Sequence, residues 1–479
     1  MLGLLVFSPL AFAGVPVWAE SLIQLAAFSI CAVWLRKESA GATIRIRAGA
    51  VFLLLGSFLV LVILQLIPMP LSLLARLSAK TAALYGVAGD EVAAKWHAVS
   101  IYPEATLSGL LNLFTFVVVL LVVANHYWGR REILRLVRAI AFMGCLLVVL
   151  AVLQKAYWNG RIYWFYPIDP AYESRLHYIW GPYMNRNHFA AYLEMSIPLV
   201  LGYAMYSLSR EDGERQTLRR IALLANDKKL TTFAMSVLAV IVMSGALFAT
   251  LSRGGILGFF VSLLVFIALM RSRRAFHGRT GILLLVVLIA AIVGLSTAWE
   301  RIEARFMELS GEDRVMRAEV WSNLGAMIGD SPVVGTGLGT FDRAFPSYQK
   351  KYSTVQFEHA ENDYLEILTD TGLIGFLLFV SAVVAFAVKL YRMWKVRKNS
   401  FSVIMGAAGL SSCAAVAFHS LTDFSLRVPA NAILLASVAG ITIAILTHRN
   451  DNGSPAKIRC KRSEDRSESA RGVIPGANP

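Results

Sequence analysis

The sequence predicts an all-α protein, a polytopic bundle of transmembrane helices, on three observations. Of its 479 residues, 57% are hydrophobic and 16% charged, far from the balance of a soluble globular chain. Apolar runs of roughly 17–22 residues recur, long enough to cross ~30 Å of hydrocarbon at ~1.5 Å per residue. Basic residues gather in alternate connections, as they do in loops retained in the cytoplasm.

The apolar runs give about twelve spans, near 2–18, 21–35, 49–67, 106–125, 132–153, 188–207, 231–250, 254–270, 281–298, 368–390, 402–420 and 429–447. The first ends in Ala11-Phe12-Ala13, which imitates a signal-peptidase site. No basic segment precedes it and a second apolar run follows at once, so it is read as a retained helix. Basic clusters fall at Arg36, Lys37, Arg45 and Arg47, at Arg130 and Arg131, at Arg271 to Arg279, and at Lys389 to Lys398. Span counting puts all of these on one side with the mixed-charge segment 208–230, so both termini are cytoplasmic. Connections 69–105, 154–187, 299–362 and 421–428 face outward. Residues 1–449 form the transmembrane domain, and the polar segment 450–479, too poor in apolar residues to fold alone, forms a disordered cytoplasmic tail.

The formal charge of +15 follows this loop pattern and is not read as a nucleic-acid site. The four cysteines, three of them inside predicted helices, show no paired ligand spacing and are read as small apolar packers. No metal or cofactor is expected.

Polar chemistry concentrates in loop 299–362, whose seven Lys/Arg against ten Asp/Glu give a net of −3. Ionisable groups are costly in lipid, so such a loop marks the working end. Within it, the spacing of Val315, Met316, Val320, Trp321, Leu324, Met327 and Ile328 predicts a one-sided helix over 313–328 that carries Arg314 and Arg317. Pro332, Gly335, Gly337 and Gly339 then force a turn, without the spacing of a nucleotide-binding loop. The next helix begins near Asn362 and enters the membrane with Asp363, Glu366 and Asp370 on its outer turns. Loop 154–187 is rich in Tyr and Trp, residues that anchor at lipid headgroups and also stack on sugar rings.

Arg253, among Ser252, Gly254 and Gly255, and Arg186, in Asn185-Arg186-Asn187-His188, both stand at outward helix ends. A guanidinium offers a fixed fork of donors that suits phosphate, although arginines also snorkel to interfaces and cap helices. His359, the sole histidine of the long loop, has Glu358 and Glu361 beside it; carboxylates favour the charged ring and raise its basicity. It is a candidate general base for a hydroxyl acceptor. Arginines, a histidine and acidic residues on one face suit an anionic, lipid-linked substrate whose leaving group is already activated.

Five ordered segments resemble the O-antigen ligase and O-antigen polymerase family of bacterial envelopes, most strongly over about 180–380. They are Gly181-Pro182-Tyr183-Met184-Asn185-Arg186-Asn187-His188-Phe189-Ala190, Leu251-Ser252-Arg253-Gly254-Gly255, Arg317 with Trp321, Ser331-Pro332-Val333-Val334-Gly335-Thr336-Gly337, and Glu361-Asn362-Asp363-Tyr364-Leu365 with Thr371-Gly372-Leu373-Ile374-Gly375. The resemblance implies a class C glycosyltransferase-like helical bundle in the bacterial inner membrane. It implies metal-independent, inverting transfer of a glycan from undecaprenyl pyrophosphate to a glycan or lipid-linked acceptor at the periplasmic face, among membrane lipids, in O-antigen, lipopolysaccharide or exopolysaccharide assembly. Arg253 and Arg317 match the arginines that hold the pyrophosphate. The family's histidine activates the acceptor and stands directly before the asparagine. Here Glu361 occupies that register before Asn362 and His359 lies two residues earlier, so either is the base; a neutral imidazole is the better base than an exposed carboxylate near neutral pH.

Two other readings compete. A transporter or flippase for a lipid-linked or anionic solute would place ionisable groups at mid-membrane, where Glu194 is the clearest example, and would show repeat symmetry, of which none is evident. A non-catalytic scaffold would leave the arginines without a role.

Overall fold

The computed structural model describes residues 1–39, 49–87, 96–127, 129–168, 179–208, 228–273, 312–350 and 357–447, with the side chains of 87 and 312–316 outside the description. Among these residues the chain is almost wholly helical. The predicted span 281–298, the connection 209–227 and the tail 450–479 lie outside the described residues.

Ten described helices are long and apolar enough to cross a membrane. They are α2 (Val17–Ser39), α3 (Gly49–Leu66), α6 (Pro103–His126), α7 (Arg130–Ala156), α8 (Arg186–Ser207), α9 (Lys228–Ala249), α10 (Arg253–Arg271), α13 (Asp363–Lys395), α14 (Ser400–His419) and α15 (Pro429–Thr447). Shorter helices intervene: α1 (Leu2–Leu10), α4 (Leu71–Leu77), α5 (Ala79–Val87), α11 (Glu312–Asp330) and α12 (Phe341–Ala344).

The first predicted span is corrected. The run 2–18 is not one helix but the nine-residue α1, ended by Phe12 and Ala13 at φ 54° and 57°. At ~1.5 Å per residue α1 is too short to cross the bilayer, and the parity that placed the amino terminus no longer follows from counting it. The aromatic connection 157–168 also departs from all-α structure, folding as a two-stranded antiparallel hairpin, β1 (Arg161–Ile162) and β2 (Tyr166–Pro167). Phe12 packs on it through Tyr163 and Tyr166.

The core is built on α8 and α14, which pack against each other and against α7, α9, α10 and α15. Helices that cannot rely on the hydrophobic effect in lipid pack through small residues, and α14 supplies Gly406, Ala407, Ala408, Gly409, Ser411, Ser412 and Ala415, all buried. Gly202 of α8 faces Ala408 so closely that an added Cβ would stand 2.6 Å from the alanine methyl.

The bundle has two distinct ends. At one, Arg130 lies over Tyr206 and Phe401, Arg273 donates to the Trp394 and Lys395 carbonyls, and Arg397 donates to Leu446 O. These are the ends predicted to be cytoplasmic. At the other end the starts of α8, α10 and α13, the α14–α15 connection and the 331–347 segment meet.

Candidate functional site

Helix α11 brings the first pair of candidates together. Arg317 and Trp321 are one turn apart, so they share a face. That face meets the 360–361 segment: Arg317 donates to Glu361 Oε2 across 2.9 Å, and Trp321 Nε1 donates to the Ala360 carbonyl across 2.9 Å. Val320, Leu324 and Met327 form a small core with Phe341, Phe345 and Ala360, as the predicted helical face requires. Arg314 lies on the same helix, but its side chain is outside the described residues.

Asn362 has a structural task. Its Oδ1 accepts from the amides of Tyr364 and Leu365, capping α13, while its Nδ2 donates to the Leu421 carbonyl. Glu361 just before it stands at φ 54°, a left-handed conformation that turns the chain into the helix. Asp363 donates its amide to the Ser420 and Asp423 carbonyls and accepts from the Ser420 hydroxyl at 2.7 Å. The α14–α15 connection thus clamps the start of α13.

His359 Nδ1 donates to Glu366 Oε1 across 2.9 Å, and the Phe424 ring stacks on the imidazole at 4.1 Å between centroids. Arg427 places Nε 3.2 Å from the same Glu366 oxygen and donates to Asp370 Oδ2 at 2.9 Å; the two carboxylates are one turn apart on α13. His359, Glu366 and Arg427 border an open cavity of about 310 Å³ that Tyr102, Gly339 and Arg343 also line. Arg427 and Asp363 reach, in addition, an apolar cavity of about 300 Å³ between α2, α3, α6, α13, α14 and α15.

On the other edge of Phe424, whose ring meets His188 at 4.7 Å, lies a second buried chain of charge. His188 Nε2 is 3.4 Å from Asp423, His419 lies between Asp423 and Glu194, and His419 Nδ1 meets Glu194 at 3.1 Å. Gly258 of α10 leaves the room that the Glu194 carboxylate occupies.

Arg253 is the first residue of α10, which Ser252 caps by accepting the Gly255 amide. Its neighbour Gly254 lies against His419 and Thr422. Arg186 is the first residue of α8, capped by Asn185. The start of α10 meets the 419–427 segment through Gly254, the start of α8 meets it through His188, and Asn362 touches it at Leu421. Arg317 is engaged through Glu361 on the other side of Asn362.

Electrostatics distinguish the two candidate bases. Burial pushes the Glu361 carboxyl up to about 7, with Arg317 pulling it down only in part. Glu361 is consequently not the exposed, weakly basic carboxylate expected from sequence. For His359, burial opposes the charged ring, but the Glu366 carboxylate outweighs it and raises the ring above its ordinary value. Burial likewise works against the charged form of Asp423, and the flanking His188 and His419 rings outweigh it, holding the carboxyl below the ordinary range.

Sequence reasoning missed Arg427, Asp423, His419, His188 and Phe424 as parts of this site. His419, Asp423, Phe424 and Arg427 fall within one short connection, which needed partners on α8 and α13 to acquire meaning.

Residues 238–380 match the family model described as O-antigen ligase. The match takes in Arg253, Arg317, His359, Glu361, Asn362 and Glu366 and stops before the 419–427 segment. No curated protein matches the chain. Residues 238–380 are thus similar to the O-antigen ligase family, within a chain that has ten described helices long and apolar enough to cross a membrane.

Proposed function

We propose that this protein is a metal-independent, inverting glycosyltransferase that transfers or polymerises a glycan carried on undecaprenyl pyrophosphate. The reaction takes place at the periplasmic face of the bacterial inner membrane, in O-antigen, lipopolysaccharide or exopolysaccharide assembly. The observation that carries the reading is a pair of cavities that share Arg427: an apolar one between helices and an open one lined by the ionisable side chains of His359, Glu366, Asp342 and Arg343. A lipid-linked sugar has just this division, an apolar chain below and a charged head with its glycan above. Of the carboxylates that line the open cavity, Glu366 is paired with His359 and Arg427 and Asp342 with Arg343, which favours charge neutralisation by side chains over a metal.

In this reading the acceptor hydroxyl gives its proton to a base as its oxygen bonds to the anomeric carbon. The bond from that carbon to the pyrophosphate oxygen breaks on the opposite face, and the pyrophosphate leaves with the electron pair. Arg253 and Arg317 hold the developing charge, a preplaced stabilisation. Arg186 and Arg314 extend the positive rim, and Asn362 fixes the start of α13. His359 is the base, because it lines the cavity and its Nε2 meets no partner among the described residues, whereas Glu361 is held by Arg317. The donor and acceptor are the partners, with membrane lipids around the bundle; nucleic acid is not.

The test is glycan transfer by His359→Ala and Glu361→Gln, each at normal membrane level. Loss in the histidine variant alone is expected. An active His359→Ala beside a dead Glu361→Gln makes Glu361 the base, and normal transfer by both removes the site from the reaction.

A flippase would need a path for its solute past ionisable groups. Glu194, its best candidate, is instead sealed against His419 at 0% exposure.

A further inference from the structure

Glu366 has no part in the reaction as written, yet it holds three neighbours at once. Oε1 accepts from His359 Nδ1 at 2.9 Å and faces Arg427 Nε at 3.2 Å, and Oε2 accepts from the Ala360 amide at 3.0 Å. It is 1% exposed and sits on the first turn of α13, behind the Asn362 cap. The His359 ring is thereby fixed by one nitrogen and, on its face, by Phe424. Nε2 is the nitrogen that remains for a ligand in the open cavity.

We propose that Glu366 is a positioning residue for the transfer reaction: its carboxylate keeps the proton of His359 on Nδ1, so that Nε2 offers its lone pair to the acceptor hydroxyl, and Arg427 opposes it from the far side of the same oxygen. The proposal rests on the reading of His359 as the base. When the acceptor oxygen bonds to the anomeric carbon, its proton moves to Nε2 and the imidazolium faces an anionic Glu366. The pair then carries no net charge in a half-enclosed site. A carboxylate that fixes a base's tautomer and matches its charge is the general device of orienting groups.

A merely structural Glu366 would pin the 357–361 segment through Ala360 and leave the ring's titration alone. The positioning role makes a prediction of opposite signs. Glu366 favours the charged ring by charge and hydrogen bond, and Arg427 disfavours it by charge. The other charged and titratable groups near the ring are Glu358 beside it, Asp423 on the 419–427 segment, the Arg317–Glu361 pair, and Tyr102, Asp342 and Arg343 around the cavity.

The experiment uses the full chain, labelled with ¹⁵N-histidine in lipid nanodiscs, the His359 ring signals being identified by their loss in His359→Ala. Their titration midpoint should fall in Glu366→Gln, rise in Arg427→Gln and stay in place in Arg427→Lys, which keeps the charge. Glycan transfer in cells should drop about 10–100-fold in Glu366→Gln at unchanged membrane level, the usual scale for partners that orient a functional histidine. Should Glu366→Gln not fold, the two Arg427 variants carry the sign test on their own. Coincident midpoints in all variants overturn the proposal, as does full transfer by Glu366→Gln. Full transfer by His359→Ala overturns the base reading beneath it, and the ring titration distinguishes the two failures because it needs no substrate.

Discussion

Leu373 donates its amide to the Pro332 carbonyl across 2.8 Å, joining the glycine-rich turn to the one point where α13 breaks. At the break Gly372 stands at φ 64°, so the helix loses bonds on both sides. The turn restores them: Ile374 donates to Val333 O, while Thr336 and Gly337 donate to the Thr369 and Asp370 carbonyls. Buried backbone groups need such partners. The glycines at 335 and 372 allow the two backbones to cross, and Gln65 closes the joint by donating to Val334 O and Asp370 O. The turn is thus a plug for a broken helix that sets Asp370 beneath Arg427, not a phosphate cradle.

Gly372→Ala should therefore destabilise the protein by about 1–3 kcal/mol from backbone conformation alone, with the contact against Val333 added to it. Gly245→Ala, where an added Cβ meets nothing, serves as the control. Thermal unfolding in detergent reads the difference, and equal midpoints for the two variants would contradict the plug.

The Glu194–His419 pair, fully enclosed between α8 and α14, gives a second prediction. Removing one partner of a buried pair typically costs about 3–5 kcal/mol because a lone charge is left. Glu194→Gln or His419→Gln should each lower the folded yield sharply, and the double variant should recover part of it. Two losses that simply add would show that the pair is not coupled.

How much of this was legible depended on distance along the chain. Helix α11, the 331–339 turn and the start of α13 follow from local spacing, and all three stand where the sequence predicts them. The break at Phe12–Ala13 did not show, because hydropathy responds to composition and is blind to a residue at positive φ. Nor did the charge chain: Glu194 and His419 are 225 residues apart, and nothing in either neighbourhood names the other. Arg427 likewise acquires meaning only from Glu366 and Asp370, which it meets from another helix.

The orientation of the bundle is testable directly. Basic connections cluster at one end and the cavity of His359 opens at the other, so compartment reporters fused after Gly278 and after Gly339 should give opposite signals. Identical compartment signals from both would sink this topology.

Arg253→Lys probes the anion site. Lysine keeps the charge but presents a point donor in place of a fork, which bidentate phosphate binding does not tolerate. Transfer should fall at least about tenfold, since each lost charge-assisted bond is worth roughly 1.5–3 kcal/mol, at unchanged membrane level. Full activity would place the pyrophosphate elsewhere.

Glu361 supplies a pH signature. Its carboxyl is pushed up to about 7 in the folded protein from an ordinary 4.5, chiefly by burial. Between those two values the folded chain keeps a proton that the unfolded chain releases, so the linkage slope is negative. The contribution is fully present below about 4.5 and is lost as pH rises through about 7. Glu361→Gln, which holds its hydrogens at every pH, should flatten this part of the stability profile. Arg317→Gln should extend it to higher pH, because the largest charge favouring the carboxylate is gone. Thermal unfolding of the three proteins across that interval is the measurement. A wild-type slope in Glu361→Gln would show that Glu361 does not titrate there and remains an ordinary carboxylate paired with Arg317.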